Sequence, residues 1–159
     1  MAIGMTPLQE YIVLRPEEVP MGLNKVEAMP GMPSSYFLGP LGFTSGVTAW
    51  LAVQNMQYRY KAGDKGGPTV ALKPGDKVFV SAGTGAVGMM AIQIYKSMGA
   101  TVIASTGSDE KVAFLEKELG IKAFNYKTQD VYDTLTEFAP DGLQYYFDNV
   151  GGPTLDAAI

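Results

Sequence analysis

Cysteine and histidine are both absent from the 159 residues. That double absence excludes disulfides, the usual cysteine and histidine zinc sets, a serine–histidine triad and a cysteine nucleophile paired with histidine. No stretch approaches the run of about 20 apolar residues that a membrane-spanning helix needs. The opening, MAIGMTPLQEY, has neither the basic nor the apolar segment of a secretory signal, so a cytoplasmic location is the expectation. Basic residues are outnumbered, 12 Lys and Arg against 16 Asp and Glu. The resulting net charge of −4 argues against nucleic acid, whose binders present a basic face. Whatever chemistry occurs here falls to something other than these side chains, and a cofactor is the natural carrier.

What is present is the composition of a globular domain, 47% hydrophobic and 18% charged. Residues 1–40 read as irregular, because Pro16, Pro20, Pro30, Pro33 and Pro40 interrupt every candidate element. One short strand is possible over Tyr11 to Leu14. So long an opening without elements suggests packing against a further part of the protein. From Thr44 the pattern sharpens: Thr44 or Ser45 is the expected N-cap of a helix whose apolar side carries Val47, Trp50 and Leu51. Residues 59–77 read as a surface loop. Beyond it, apolar runs at 78–80 and 100–106 predict buried parallel strands, KAFNY a weaker third, and QYYFDNVGG a fourth. Between them lie helical patterns: Val87, Met90, Ala91, Ile94, Tyr95 and Met98; then Val112, Leu115 and Leu119; then Val131, Leu135 and Phe138. Gly99, Gly120, Ser108 and Asp130 stand where helix caps are needed. Such alternation implies parallel pairing with right-handed crossovers, hence an α/β fold with a doubly wound parallel sheet over residues 41–159.

AGTGAVG places Gly83, Gly85 and Gly88 in the G-x-G-x-x-G order, after a predicted strand and before a predicted helix. Gly83 is expected to permit the tight turn, Gly85 to let the backbone approach a pyrophosphate, and Gly88 to let helix and strand pack closely. The bland alternative is an ordinary tight turn. The end of the next strand then discriminates between cofactors. An NAD site places Asp or Glu there for the ribose 2′-hydroxyl; this chain has Ser105, Thr106, Gly107 and Ser108, followed by Lys111. A missing acid removes repulsion toward a 2′-phosphate and Lys111 adds a positive charge, so NADP is the favoured cofactor. Asp109 and Glu110 keep open the reading of Lys111 as a solvated surface lysine, and with it an NAD-preferring protein.

The stretches GFTSGVTAW, PGDKVFVSAGTGAVG, GSDEKVAFL, FNYK and YYFDNVGG, in that order, resemble the medium-chain dehydrogenase/reductase superfamily. They are most similar to its zinc-independent NADP-dependent alkenal, or prostaglandin, reductases, which are quinone oxidoreductase-like. The resemblance implies that Gly85, Ala86, Val87 and Gly88 hold a pyrophosphate, that Lys111 and Tyr126 contact a 2′-phosphate, and that Asn149 reaches the cofactor. Thr48 falls in a family segment near the nicotinamide. Tyr126 is otherwise a packed strand-end aromatic, Asn149 a turn former and Thr48 a polar position in a first helical turn. Trp50 and the row Tyr145, Tyr146 and Phe147 are expected in the core. The resemblance further implies that residues 1–40 belong with a missing N-terminal GroES-like domain and that the Rossmann-like domain continues past residue 159. It also implies a homodimer. The loop at Lys61 to Pro68 looks longer than the family's.

These expectations combine into NADPH-dependent hydride transfer to the conjugated double bond of an α,β-unsaturated aldehyde or ketone. Quinone reduction is the runner-up, and a non-catalytic NADP-binding module is the reading if the native chain ends at Ile159. No side chain stands out as the donor to a developing enolate, so no catalytic residue is singled out.

Overall fold

In a computed structural model of the chain, the residues described are 2–3, 24–25, 27, 29–56 and 72–159. The strand expected at Tyr11–Leu14 and the loop at Lys61–Pro68 lie outside them. The chain divides into two compact units, Met1–Phe37 and Leu38–Ile159. In the first, β1 (Ala2–Ile3) pairs antiparallel with β2 (Asn24–Lys25), and a short 3-10 helix covers Ser34–Phe37.

The second unit is an α/β domain. A π-helical turn, Phe43–Val47, leads into α1 (Thr48–Met56); then follow β3 (Lys77–Val80), α2 (Ala86–Ser97), β4 (Thr101–Thr106), α3 (Asp109–Leu119), β5 (Lys122–Asn125), α4 (Val131–Phe138), β6 (Tyr145–Phe147) and α5 (Gly152–Ala158). The four strands pair in parallel in the order β5-β4-β3-β6. Each central strand buries side chains on both faces, which is why the sequence runs are continuous rather than alternating. Val78, Val80, Val102, Ala104 and Phe147 form one layer with Ile92, Tyr95 and Leu115 from α2 and α3. Phe79, Ile103 and Phe124 form the opposite layer with Leu135 and Ala139. There the Phe79 ring stacks on Tyr146 at 4.8 Å between centroids, beyond what their buried area alone would supply.

Local chemistry sets the helix limits. Ser108 caps α3 by accepting from the Lys111 N–H, and Gly120 ends it in the left-handed conformation at φ 58°. Asp130 caps α4 by accepting from the Asp133 N–H at 3.0 Å, and the helix stops before Pro140.

Three expectations need correction. Neither Thr44 nor Ser45 caps α1: the Ser45 hydroxyl donates to the carbonyls of Leu38 and Gly39, and the π-helical turn displaces the helix start to Thr48. With that shift in phase, Ala49 and Val53 are buried while Trp50 is 53% exposed and Leu51 faces outward. Trp50 is therefore not a core residue of this unit. The glycines after β6 do more than turn, because Gly152 and Pro153 open α5, where proline's fixed φ suits a first helical turn.

Candidate functional site

Parallel pairing brings every strand's carboxyl end to one edge of the sheet. Val80 is opposite both Ala104 and Phe147, and Thr106 is opposite Asn125. The segments 81–85, 107–108, 126–127 and 148–151 therefore emerge side by side. The chain winds outward from β3 through β4 to β5 and then returns to β6 on β3's other side. That reversal between β3 and β6 is the switch point at which open α/β sheets bind ligands.

The glycine turn joins β3 to α2. Gly83 donates its N–H to the Ser105 carbonyl at 2.8 Å, and the Thr84 and Thr106 hydroxyls meet at 2.9 Å, so the turn is fastened to the end of β4. The left-handed residue of the turn is Ala82, at φ 50°, not Gly83. Gly83 is required instead by proximity, since a Cβ there would stand 2.8 Å from the Ala104 Cβ. Gly88 is required by its contact with the turn: a Cβ would stand 2.4 Å from the Ala82 carbonyl oxygen. Gly85 differs, because a Cβ there meets only that same oxygen, at 3.1 Å, and otherwise points into open space. No side chain caps α2, so the N–H groups of Ala86, Val87 and Gly88 have no helical partner and, with the helix dipole, favour an anion.

A second group surrounds the end of β4. Ser108 and Lys111 open α3, and Tyr126 follows β5 with its ring half exposed. A Cβ on Gly107 would stand 3.3 Å from the Tyr126 hydroxyl and 3.4 Å from Lys127 Cε, so both side chains converge on that glycine. Neither Lys111 nor Lys127 is in an ion pair among the described residues. Lys127 is a residue that sequence reasoning missed, although FNYK carried it beside Tyr126. An open cleft of about 450 Å³ continues from Tyr126 between Val131 and the segment Val150–Thr154.

At the switch point, the Asn149 side chain donates to the Ser81 carbonyl at 2.8 Å, and its N–H donates to the buried Ser81 hydroxyl at 2.9 Å. Asp148 organises the loop: one carboxylate oxygen accepts from Ser81, Tyr146, Val150 and Gly151. Desolvation is the largest influence on that carboxyl and pushes it up, but the Gly151 N–H, the Tyr146 phenol, the Val150 N–H and the Ser81 hydroxyl together hold it below its ordinary value. Burial pushes the Tyr146 phenol above its own. Thr48, at the start of α1, donates its hydroxyl to the Phe43 carbonyl at 2.8 Å. The fold thus collects Gly83, Gly85, Ala86, Val87, Gly88, Ser108, Lys111, Tyr126 and Asn149 along one sheet edge, and gives Thr48 a local partner only.

A parallel β5-β4-β3-β6 sheet with a glycine turn into an uncapped helix beside the switch point defines a Rossmann-type dinucleotide-binding domain. Residues 86–159 match the family model described as zinc-binding dehydrogenase. The chain is 40% identical over 98% of its length to an NADP-dependent oxidoreductase, RED1, of Cochliobolus heterostrophus, covering 40% of that protein. It is 37% identical over 98% of its length to a 2-alkenal reductase (NADP(+)-dependent) of Nicotiana tabacum, covering 41% of it. Among solved structures, CurA of Vibrio vulnificus in complex with NADPH superposes on 87% of the chain and 37% of its own, at TM-score 0.70 and 34% identity. In sequence and fold the chain is similar to the dinucleotide-binding part of these NADP-dependent dehydrogenase/reductases. It spans about two-fifths of the length of these curated relatives. The family model's description mentions zinc, but the chain has no histidine or cysteine and the described residues contain no cluster of metal-ligating side chains. Among the described residues no helix is long and apolar enough to cross a membrane.

Proposed function

We propose that the domain binds NADPH and that the protein containing it is a zinc-independent reductase of the conjugated double bond in α,β-unsaturated aldehydes or ketones. The observation that carries the cofactor reading is the β4 end, where Tyr126 and Lys127 converge on Gly107, Ser108 and Lys111 open α3 beside it, and the strand runs out in Ser105, Thr106, Gly107 and Ser108 rather than in an acid. Lys111 and Lys127, neither in an ion pair among the described residues, suit the double charge of a 2′-phosphate, with the Ser108 and Tyr126 hydroxyls as hydrogen-bond donors. The Ala86, Val87 and Gly88 N–H groups would hold the pyrophosphate, with Gly85 leaving room for it. The cleft between Val131 and Val150 suits the flat adenine ring. The loop that Asp148 fastens would present Asn149 to the cofactor's other half. When bound, NADPH supplies the hydride, and this chain's residues position it and exclude water from it. The substrate class rests on the 2-alkenal reductase among the relatives. A cytoplasmic homodimer fits the same reading.

The test is NADPH oxidation by the full-length protein with an enal and, separately, a quinone. Turnover of the enal supports the proposal, turnover of the quinone alone shifts it to a quinone reductase, and neither overturns it. Lys111→Ala and Lys127→Gln should each weaken NADPH binding by roughly three- to tenfold and leave NADH unchanged. Equal loss of both cofactors would remove these lysines from the 2′-phosphate site.

A further inference from the structure

Asn125 is 5% exposed and sits at the last position of β5, between the two halves of the group around Gly107. Its side-chain amide donates to Asp109 Oδ1 at 2.7 Å, and its carbonyl oxygen Oδ1 accepts the Lys127 N–H at 3.1 Å. Its own N–H donates to Gln129 Oε1 at 3.2 Å, and its backbone carbonyl accepts from the N–H groups of Thr128 and Gln129. One buried side chain therefore ties the start of α3, which carries Ser108 and Lys111, to the turn that carries Tyr126 and Lys127. Asp109 is the carboxylate adjacent to Ser108, and it is this carboxylate that the amide holds.

We propose that Asn125 is a positioning residue for cofactor choice: by holding Asp109 and the Lys127 backbone, it keeps the carboxylate away from a bound 2′-phosphate and the two lysines toward it. This rests on the NADPH reading above. An acid at the end of this strand selects against a 2′-phosphate, so an acid one residue past Ser108 is compatible with NADP binding only while it is held elsewhere. A released Asp109 carboxylate would repel the phosphate dianion and leave the uncharged ribose of NADH nearly unaffected.

The experiment is fluorescence titration of the full-length protein with NADPH and with NADH, for the wild type, Asn125→Ala, Asp109→Asn and the double variant. Asn125→Ala should weaken NADPH binding on the order of tenfold while NADH changes less than about twofold. Asp109→Asn should leave NADPH binding intact, and adding it to Asn125→Ala should restore most of the lost affinity, because the repelling charge is gone. Should Asn125→Ala fail to fold, Asn125→Ser, too short to reach Asp109, takes its place in the same cycle. A double variant no better than the single, or equal weakening of NADH, would overturn the positioning role. So would an unchanged preference in the single variant. Equal affinity of the wild type for both cofactors would instead overturn the NADPH reading itself.

Discussion

The three glycines of one turn should fail in different ways when each is given a methyl group, and Gly88 and Gly85 make the sharpest pair. In Gly88→Ala the new Cβ would stand 2.4 Å from the Ala82 oxygen, 3.1 Å from the Ala82 carbonyl carbon and 3.1 Å from Gly83 Cα. All three are backbone atoms, and the turn they belong to is pinned by the Gly83–Ser105 hydrogen bond. Relief requires α2 to withdraw by about 1 Å from a layer in which Ile92 and Tyr95 are fully packed. Overpacking of this kind costs about 3 kcal/mol. The better helix propensity of alanine returns at most about 1 kcal/mol, leaving a net loss near 2 kcal/mol. Gly85→Ala meets one atom at 3.1 Å, at a backbone φ of −68° that alanine adopts freely. Its stability cost is that of a poorer N-cap, about 1 kcal/mol or less. Its methyl group, however, occupies the space in front of the helix N-terminus. Urea denaturation of the full-length protein should thus rank Gly88→Ala below Gly85→Ala in stability. NADPH titration should show a large loss for Gly85→Ala even though it remains folded. The reasoning fails if Gly88→Ala is as stable as the wild type, or if Gly85→Ala binds NADPH normally.

Two further outcomes follow from the same edge of the sheet. Ala82→Gly should raise the unfolding free energy by about 0.5 kcal/mol, since a left-handed alanine is strained by about 1 kcal/mol and part of the relief is offset by glycine's freedom in the unfolded chain; a loss on urea denaturation would refute the strain. Asp148→Asn should lower stability near neutral pH by about 1 kcal/mol, because the charged acceptor of four hydrogen bonds is lost. As the folded-state value of Asp148 lies below the unfolded one, its contribution is present above the unfolded pKa, near 4, and disappears as pH falls through the folded value. The wild type and Asp148→Asn should therefore converge in stability on acidification, and a constant difference across that range would contradict this account.

Much of this domain could be read along the chain because its cues are local. A strand buried on both faces must be a continuous apolar run, and a helix lying on one face must repeat its apolar residues every three to four positions. Caps obey the same locality, and Ser108, Gly120 and Asp130 act where their neighbours suggested. The glycine turn was identifiable from its flanking strand and helix, and the absence of an acid after β4 pointed to the choice of cofactor. Trp50 was misjudged because the helix phase depends on a π-helical turn, which Ser45 stabilises by bonding to carbonyls rather than to the helix. That choice turns on where Leu38 and Gly39 lie in space.

Residue order alone determined the α/β alternation, the place of the dinucleotide turn and the charge at its far end, since each rests on residues a few positions apart. Only the folded sheet decided which role each glycine has, that Ala82 bears the left-handed conformation, and that Tyr126 and Lys127 converge on Gly107. It also decided that Asn125 holds Asp109, 16 residues away in sequence. The physical reason is that parallel strands put their carboxyl ends in register, so segments separated by a whole helix become neighbours. Hydrogen bonds and close contacts between such segments depend on that register, and no periodicity in the chain announces them.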